Sequence, residues 1–130
     1  MTYTVLYFLP RLPSLSPSEF KAYYENNHVK LIKSLNATVP DPSCLPISYV
    51  RRFLDYEETS GSGNPGIMGE GMPQLGFDVV TELKFRDKEA ARKYAYYLYE
   101  LEENAKRIKE DEEHFIVRSG MRGFAIDERV

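Results

Sequence analysis

Residues 2–32 read TYTVLYFLPRLPSLSPSEFKAYYENNHVKLI. The first eight are rich in β-formers and predict a strand. Tyr3, Val5, Tyr7 and Leu9 fall on one face, Thr4, Leu6 and Phe8 on the other. Both faces are largely apolar, so the strand is expected to be buried on both sides. Pro10-Arg11-Leu12-Pro13 breaks it. Ser16-Pro17-Ser18-Glu19 then reads as a helix start: Ser16 caps, Pro17 fits the first helical position and Glu19 completes a capping box. In the helix that follows, positions 20, 24, 28, 31 and 35 form one stripe, so His28 projects with Phe20, Tyr24 and Leu31. Asn26 and Asn27 are weak helix formers, and the helix is expected to bend or end just before His28.

Outward from this stretch, Pro40, Pro42 and Pro46 mark residues 36–46 as a loop. Residues 47–56 alternate as a second strand, with Tyr49, Arg51 and Phe53 on one face and Val50, Arg52 and Leu54 on the other. Residues 57–74 hold five of the eight glycines and read as a long flexible Gly-rich loop, suited to a lid or a binding loop. A third strand covers 76–85, with Asp78, Val80, Glu82 and Lys84 on one face. A second helix starts near the capping residue Asp87. It continues into a charged segment, to about Glu113, that reads as a solvated outer face. Residues 119–127 form the last strand. The order is βαββαβ, the ferredoxin-like α+β pattern with a four-stranded antiparallel sheet. Two helices cover one face of such a sheet. The other face needs solvent or a partner, and the apolar first strand points to a homodimer packed face to face.

The 130 residues make a single domain, 1–130, and 42% hydrophobic content suffices for a core. A net charge of −3 argues against capture of nucleic acid or of an anionic membrane. The apolar stretch 2–9 is too short for a membrane span and lacks the build of a signal peptide. With Cys44 as the one cysteine, no intramolecular disulfide is possible and a cytoplasmic setting is expected.

No phosphate-binding glycine loop or nucleophile elbow is present. His28 and His114 lack metal-ligand spacing, and no metal site is expected. His28 on an apolar stripe is either a core histidine held by one hydrogen bond or a general base in a pocket. Asp78 and Glu82, four residues apart on one strand face, border either solvent or a cavity, with Arg51 and Arg52 able to supply positive charge. Phenols of Tyr7, Tyr24 and Tyr49 can hold a carbonyl oxygen while negative charge develops on it. Cys44 has no base nearby in sequence. His114, in an acidic run, suits a surface or capping role.

Three segments carry a family resemblance: the opening stretch with its histidine, GFDVVTELKF at 76–85 with its embedded Asp78, and DEEHFIVRSGMRGFAIDE at 111–128. Together they resemble the EthD-type domains of the dimeric α+β barrel superfamily, especially small fungal members associated with polyketide pathways. The resemblance implies a homodimeric barrel without metal or organic cofactor. It implies dehydration, decarboxylation or cyclisation of an aromatic polyketide, with His28 and Asp78 at polar family positions. The expectation is a lyase in which His28 takes a proton next to a carbonyl. Asp78, with Glu82, orients the imidazole or carries the proton to a departing hydroxyl, and Tyr24 or Tyr49 stabilises the enolate. Tyr7 and Arg51 complete the expected substrate contacts. Two alternatives remain: a cofactor-free monooxygenase on the same scaffold, and a non-catalytic small-molecule binding or dimerisation module.

Overall fold

The computed structural model describes residues 2–56 and 75–130. The glycine-rich loop at 57–74 lies outside the described residues. The sequence alternation yields β1 (Tyr3–Leu9), β2 (Ser48–Phe53), β3 (Val79–Phe85) and β4 (Arg122–Ile126). They form one antiparallel sheet in the order β2-β3-β1-β4. This is the ferredoxin-like arrangement expected from the element order.

The first helical region starts as predicted. Ser16 Oγ accepts from the Glu19 N–H while Glu19 Oε1 accepts from the Ser16 N–H, and α1 runs over Pro17–Tyr23. The helical path is modified before His28 but does not end there. It widens into a π-helical turn, Tyr24–His28, and continues as α2 (Val29–Asn36). Asp87 caps α3 (Lys88–Ala95), which passes through a second π-helical turn, Tyr96–Glu100. At Leu101 the backbone turns extended (ψ 121°), and α4 (Glu102–Glu112) starts in a new direction.

The helices pack on one sheet face. Val79, Thr81, Leu83 and Phe85 of β3 are all buried there, alternating with half-buried Val80, Glu82 and Lys84. The interior falls into two clusters. One holds Leu35, Phe85, Tyr94, Leu98 and Ile108; the other holds Phe20, Tyr24, Val79, Phe115 and Ile116. Tyr7 and Tyr49 touch both. Cys44 is buried in the first, its Sγ 3.1 Å from the Asp41 carbonyl, and burial pushes its thiol up.

The opposite face carries Leu6, which pairs in register with Glu82 and with Phe124, and Phe8, which pairs with Val80 and Arg122. Phe8 meets Phe77 and Phe124 edge to face, and Phe124 remains 53% exposed.

Two segments far apart in sequence are tied beside the sheet. Leu12 N–H donates to the Phe115 carbonyl and Val117 N–H to the Pro10 carbonyl, both at 3.0 Å, around a bridge between Arg11 and Ile116. This tie carries the end of α4 over to the first helical region.

Gly123 of β4 lies opposite Tyr7, and a Cβ there would stand 2.8 Å from Tyr7 Cε1. Gly123→Ala is therefore expected to displace the Tyr7 ring and to cost about 1–3 kcal/mol. The denaturant midpoint measures the cost.

Candidate functional site

Between the helix-covered sheet face and the helices is a cavity of about 170 Å³. That is near the ~150 Å³ that holds a benzene ring and below the ~300 Å³ floor of common small-molecule pockets. It has room for one six-membered ring. Strands supply Tyr7, Tyr49 and Thr81; helices supply Tyr24, His28, Tyr94, Tyr99 and Glu112.

The first π-helical turn delivers Tyr24 and His28. Both are buried, and their rings meet edge to face at 5.3 Å. Phe115, fully buried, packs 5.0 Å from the imidazole. His28 Nδ1 lies 2.7 Å from Asp111 Oδ2, and Tyr23 Oη donates to Asp111 Oδ1 at 2.8 Å. Burial acts to raise the Asp111 carboxyl, but the hydrogen bonds from His28 and Tyr23 outweigh it and hold the carboxyl below its usual value. An ionised carboxylate only accepts, so Nδ1 carries the imidazole proton and Nε2 is the basic nitrogen left for a ligand.

Glu112, next in sequence, meets a different environment. It is 5% exposed and lines the cavity, with Oε1 accepting from Arg118 Nε at 3.1 Å. Burial pushes its carboxyl up, against the pull of Arg118 and His28. Adjacent carboxyls are thus driven in opposite directions, a pattern common where acid and base roles are divided.

The phenols divide into two sets. Tyr49 Oη donates to Tyr24 Oη at 3.2 Å, and the Tyr24 and Thr81 hydroxyls share a hydrogen bond at 2.6 Å. Tyr94 donates to Asn36 Oδ1 at 2.8 Å. Tyr7 and Tyr99 make no hydrogen bond to a described residue. Tyr99 keeps 41% of its surface exposed, yet burial raises its hydroxyl well above the usual value. The residue lines the cavity and is partly exposed, so it forms part of the cavity's outer wall. Burial also raises the phenols of Tyr7 and Tyr24, so these groups remain donors rather than bases.

Of the residues singled out in the sequence, the cavity gathers His28, Tyr7, Tyr24 and Tyr49. The others lie elsewhere. Asp78 is not the partner of His28. It precedes β3, accepts from the Arg11 N–H at 2.7 Å and from the Tyr56 hydroxyl, and borders a separate surface groove. Its carboxylate holds the segment after β1 in place. Glu82 points to the open sheet face, 3.5 Å from Arg52, because the strand alternation sets it opposite to Thr81. Arg51 does not line the cavity. Its guanidinium is held by Glu25 at 2.7 and 3.0 Å and stacks 4.5 Å from the Tyr49 ring, bracing that residue from behind. The Tyr49 proton is engaged by Tyr24 Oη, whereas Tyr7 and Tyr99, with no hydrogen bond among the described residues, have phenols available to a ligand oxygen. His114 is exposed and stacks on Tyr23 at 5.9 Å.

Asp111 and Glu112 were hidden within the supposedly solvated acidic run. The spacing Ala105, Ile108, Glu112, Phe115 continues an inward stripe through Glu112, and that was the signal available. Among the described residues, no group of three or more His, Cys, Asp or Glu side chains is gathered as a metal site, and no helix is long and apolar enough to cross a membrane.

Tyr23→Phe removes one donor from Asp111 and is expected to cost about 1–2 kcal/mol at neutral pH. Because the folded-state pKa of Asp111 is depressed, its contribution is complete above the unfolded value and fades as pH falls through the folded one. The difference between variant and parent should shrink across that acid range in urea titrations.

The EthD domain family model matches residues 12–119. Among solved structures, the chain is similar to an ethyl tert-butyl ether D (EthD) family protein from Bacillus halodurans C-125, with 15% identity and a TM-score of 0.57 over 99% of this chain and 100% of that one. It is also similar to a dimeric ferredoxin-like protein of unknown function from Thermobifida fusca YX, at 8% identity and a TM-score of 0.50, over 97% of this chain and 90% of that one. A dimeric protein of unknown function with a ferredoxin-like fold from Bacteroides fragilis NCTC 9343 has 8% identity and a TM-score of 0.50, over 99% of this chain and 96% of that one. These likenesses speak to fold, and no curated protein matches the chain. The matched span holds α1, α2, α3 and α4 and strands β2 and β3 and covers most of the sequence, and this chain belongs to the EthD domain family.

Proposed function

We propose that the chain is a cofactor-independent acid–base lyase acting on one oxygenated ring of an aromatic polyketide intermediate, by dehydration, decarboxylation or cyclisation. The observation that carries this reading is the His28–Asp111 couple on the wall of a ring-sized cavity. Asp111 fixes the tautomer and stabilises the imidazolium that forms when Nε2 takes a proton. Tyr7 and Tyr99 offer hydrogen bonds to the enolate oxygen. A carbon acid next to a carbonyl is activated enough for such groups, since positioned proton transfer supplies about 10²–10⁴ in rate.

The working unit in this reading is a homodimer in the cytoplasm. Leu6, Phe8, Val80 and Phe124 on the open sheet face favour a second copy packed there, as do the dimeric neighbours of the same fold.

Cyclohexanone in heavy water tests the base. The protein should speed exchange of its α-protons by NMR, and His28→Ala should lose at least about tenfold of that rate. Exchange at the parent rate in the variant would remove His28 from the mechanism. Oxygen consumption during turnover of the natural substrate would favour the monooxygenase instead. Phe124→Asp should convert a dimer to a monomer in solution-mass measurements; a parent that is already monomeric contradicts the assembly.

A further inference from the structure

The groups assigned so far take a proton from carbon and hold an oxygen, but none supplies a proton to a departing hydroxyl. We propose that Glu112 is the proton donor of the cavity and that the preferred ligand is therefore a cyclic β-hydroxy ketone. The assignment rests on the acid–base reading of the same site and extends it.

Three observations support it. Glu112 is 5% exposed and its side chain borders the cavity. One oxygen, Oε1, is used as an acceptor by Arg118 Nε at 3.1 Å, which leaves Oε2 as the oxygen to carry the proton. The neighbouring Asp111 accepts from His28 and Tyr23, at 2.7 and 2.8 Å, which keeps it ionised and without a proton to give. The groups facing Glu112 are His28 from the first π-helical turn, Tyr7 from β1, Tyr99 from the second π-helical turn, Asp111 beside it, and Arg118 after α4. Burial dominates among them and favours the protonated acid.

The step balances without an added reactant. His28 Nε2 removes the α-proton, and the electrons of that C–H bond form the new C=C bond. The β C–O bond breaks, and the oxygen takes the Glu112 proton and leaves as water. Imidazolium and carboxylate remain, and transfer of one proton from His28 to Glu112 restores the starting state.

The test compares β-hydroxycyclohexanone with β-acetoxycyclohexanone, both yielding cyclohexenone, because acetate leaves without protonation. Glu112→Gln keeps the Oε1 acceptor for Arg118 and removes the acidic proton. It should slow the hydroxy ketone by about 10²-fold or more beyond any loss it causes on the acetoxy ketone. Equal rates on the hydroxy ketone, or equal losses on both, would overturn the assignment while leaving the base reading standing. Absence of α-proton exchange by the parent protein would remove both. Arg118→Gln supplies a second readout. Loss of its cation should move the high-pH limb of hydroxy-ketone turnover upward, since activity needs the protonated acid. An unmoved limb contradicts the role.

Discussion

Two backbone hydrogen bonds, Leu12 to Phe115 and Val117 to Pro10, fasten the chain after α4 to the chain after β1. The site depends on this crossing. It seats Phe115 under the imidazole of His28 and brings the last turn of α4 alongside the first π-helical turn. Asp78 supports it from the sheet side: its carboxylate accepts the Arg11 N–H and its own N–H donates to the Leu9 carbonyl. A residue expected to act on substrate instead holds the scaffold that positions the residues which can.

Asp111 and Glu112 show how little sequence distance governs protonation. One carboxyl accepts hydrogen bonds from an imidazole and a phenol and stays ionised. The next lies against apolar and phenolic side chains with one guanidinium to offset burial, and its proton is held more tightly. Desolvation and hydrogen bonding compete at both sites, and the local count of donors decides the outcome. The phenols follow the same logic. Tyr49, Tyr24 and Thr81 join in one chain of hydrogen bonds, which stiffens the wall, while Tyr7 and Tyr99 make none among the described residues.

Both π-helical turns border the cavity. Such turns add a residue to a helix locally and are frequent at functional sites. Here the first aligns Tyr24 with His28, and the second puts Leu98 into the core while Tyr99 reaches the cavity. The asparagines before His28, read as a bend or end of the helix, lie in the widened turn. Their weak helix preference was legible; the way the backbone accommodated it was set by packing.

By itself the sequence determined the element order, the capping box at Ser16, the two-sided apolar character of β1 and the stripe that directs His28 inward. All are local patterns with periods of two or about 3.6 residues, and local patterns survive without knowledge of the rest of the chain. Tertiary structure alone decided which carboxylates meet the imidazole. The partner of His28 is 83 positions away, on a segment whose acidic run resembles a solvated face. Asp78, with Glu82 beside it, was the expected partner, but the position of Asp78 before β3 and the alternation of β3 turned one to the chain crossing and the other to the open sheet. Long-range pairing of charged side chains leaves no periodic trace, because it depends on how two distant segments cross and not on the spacing within either.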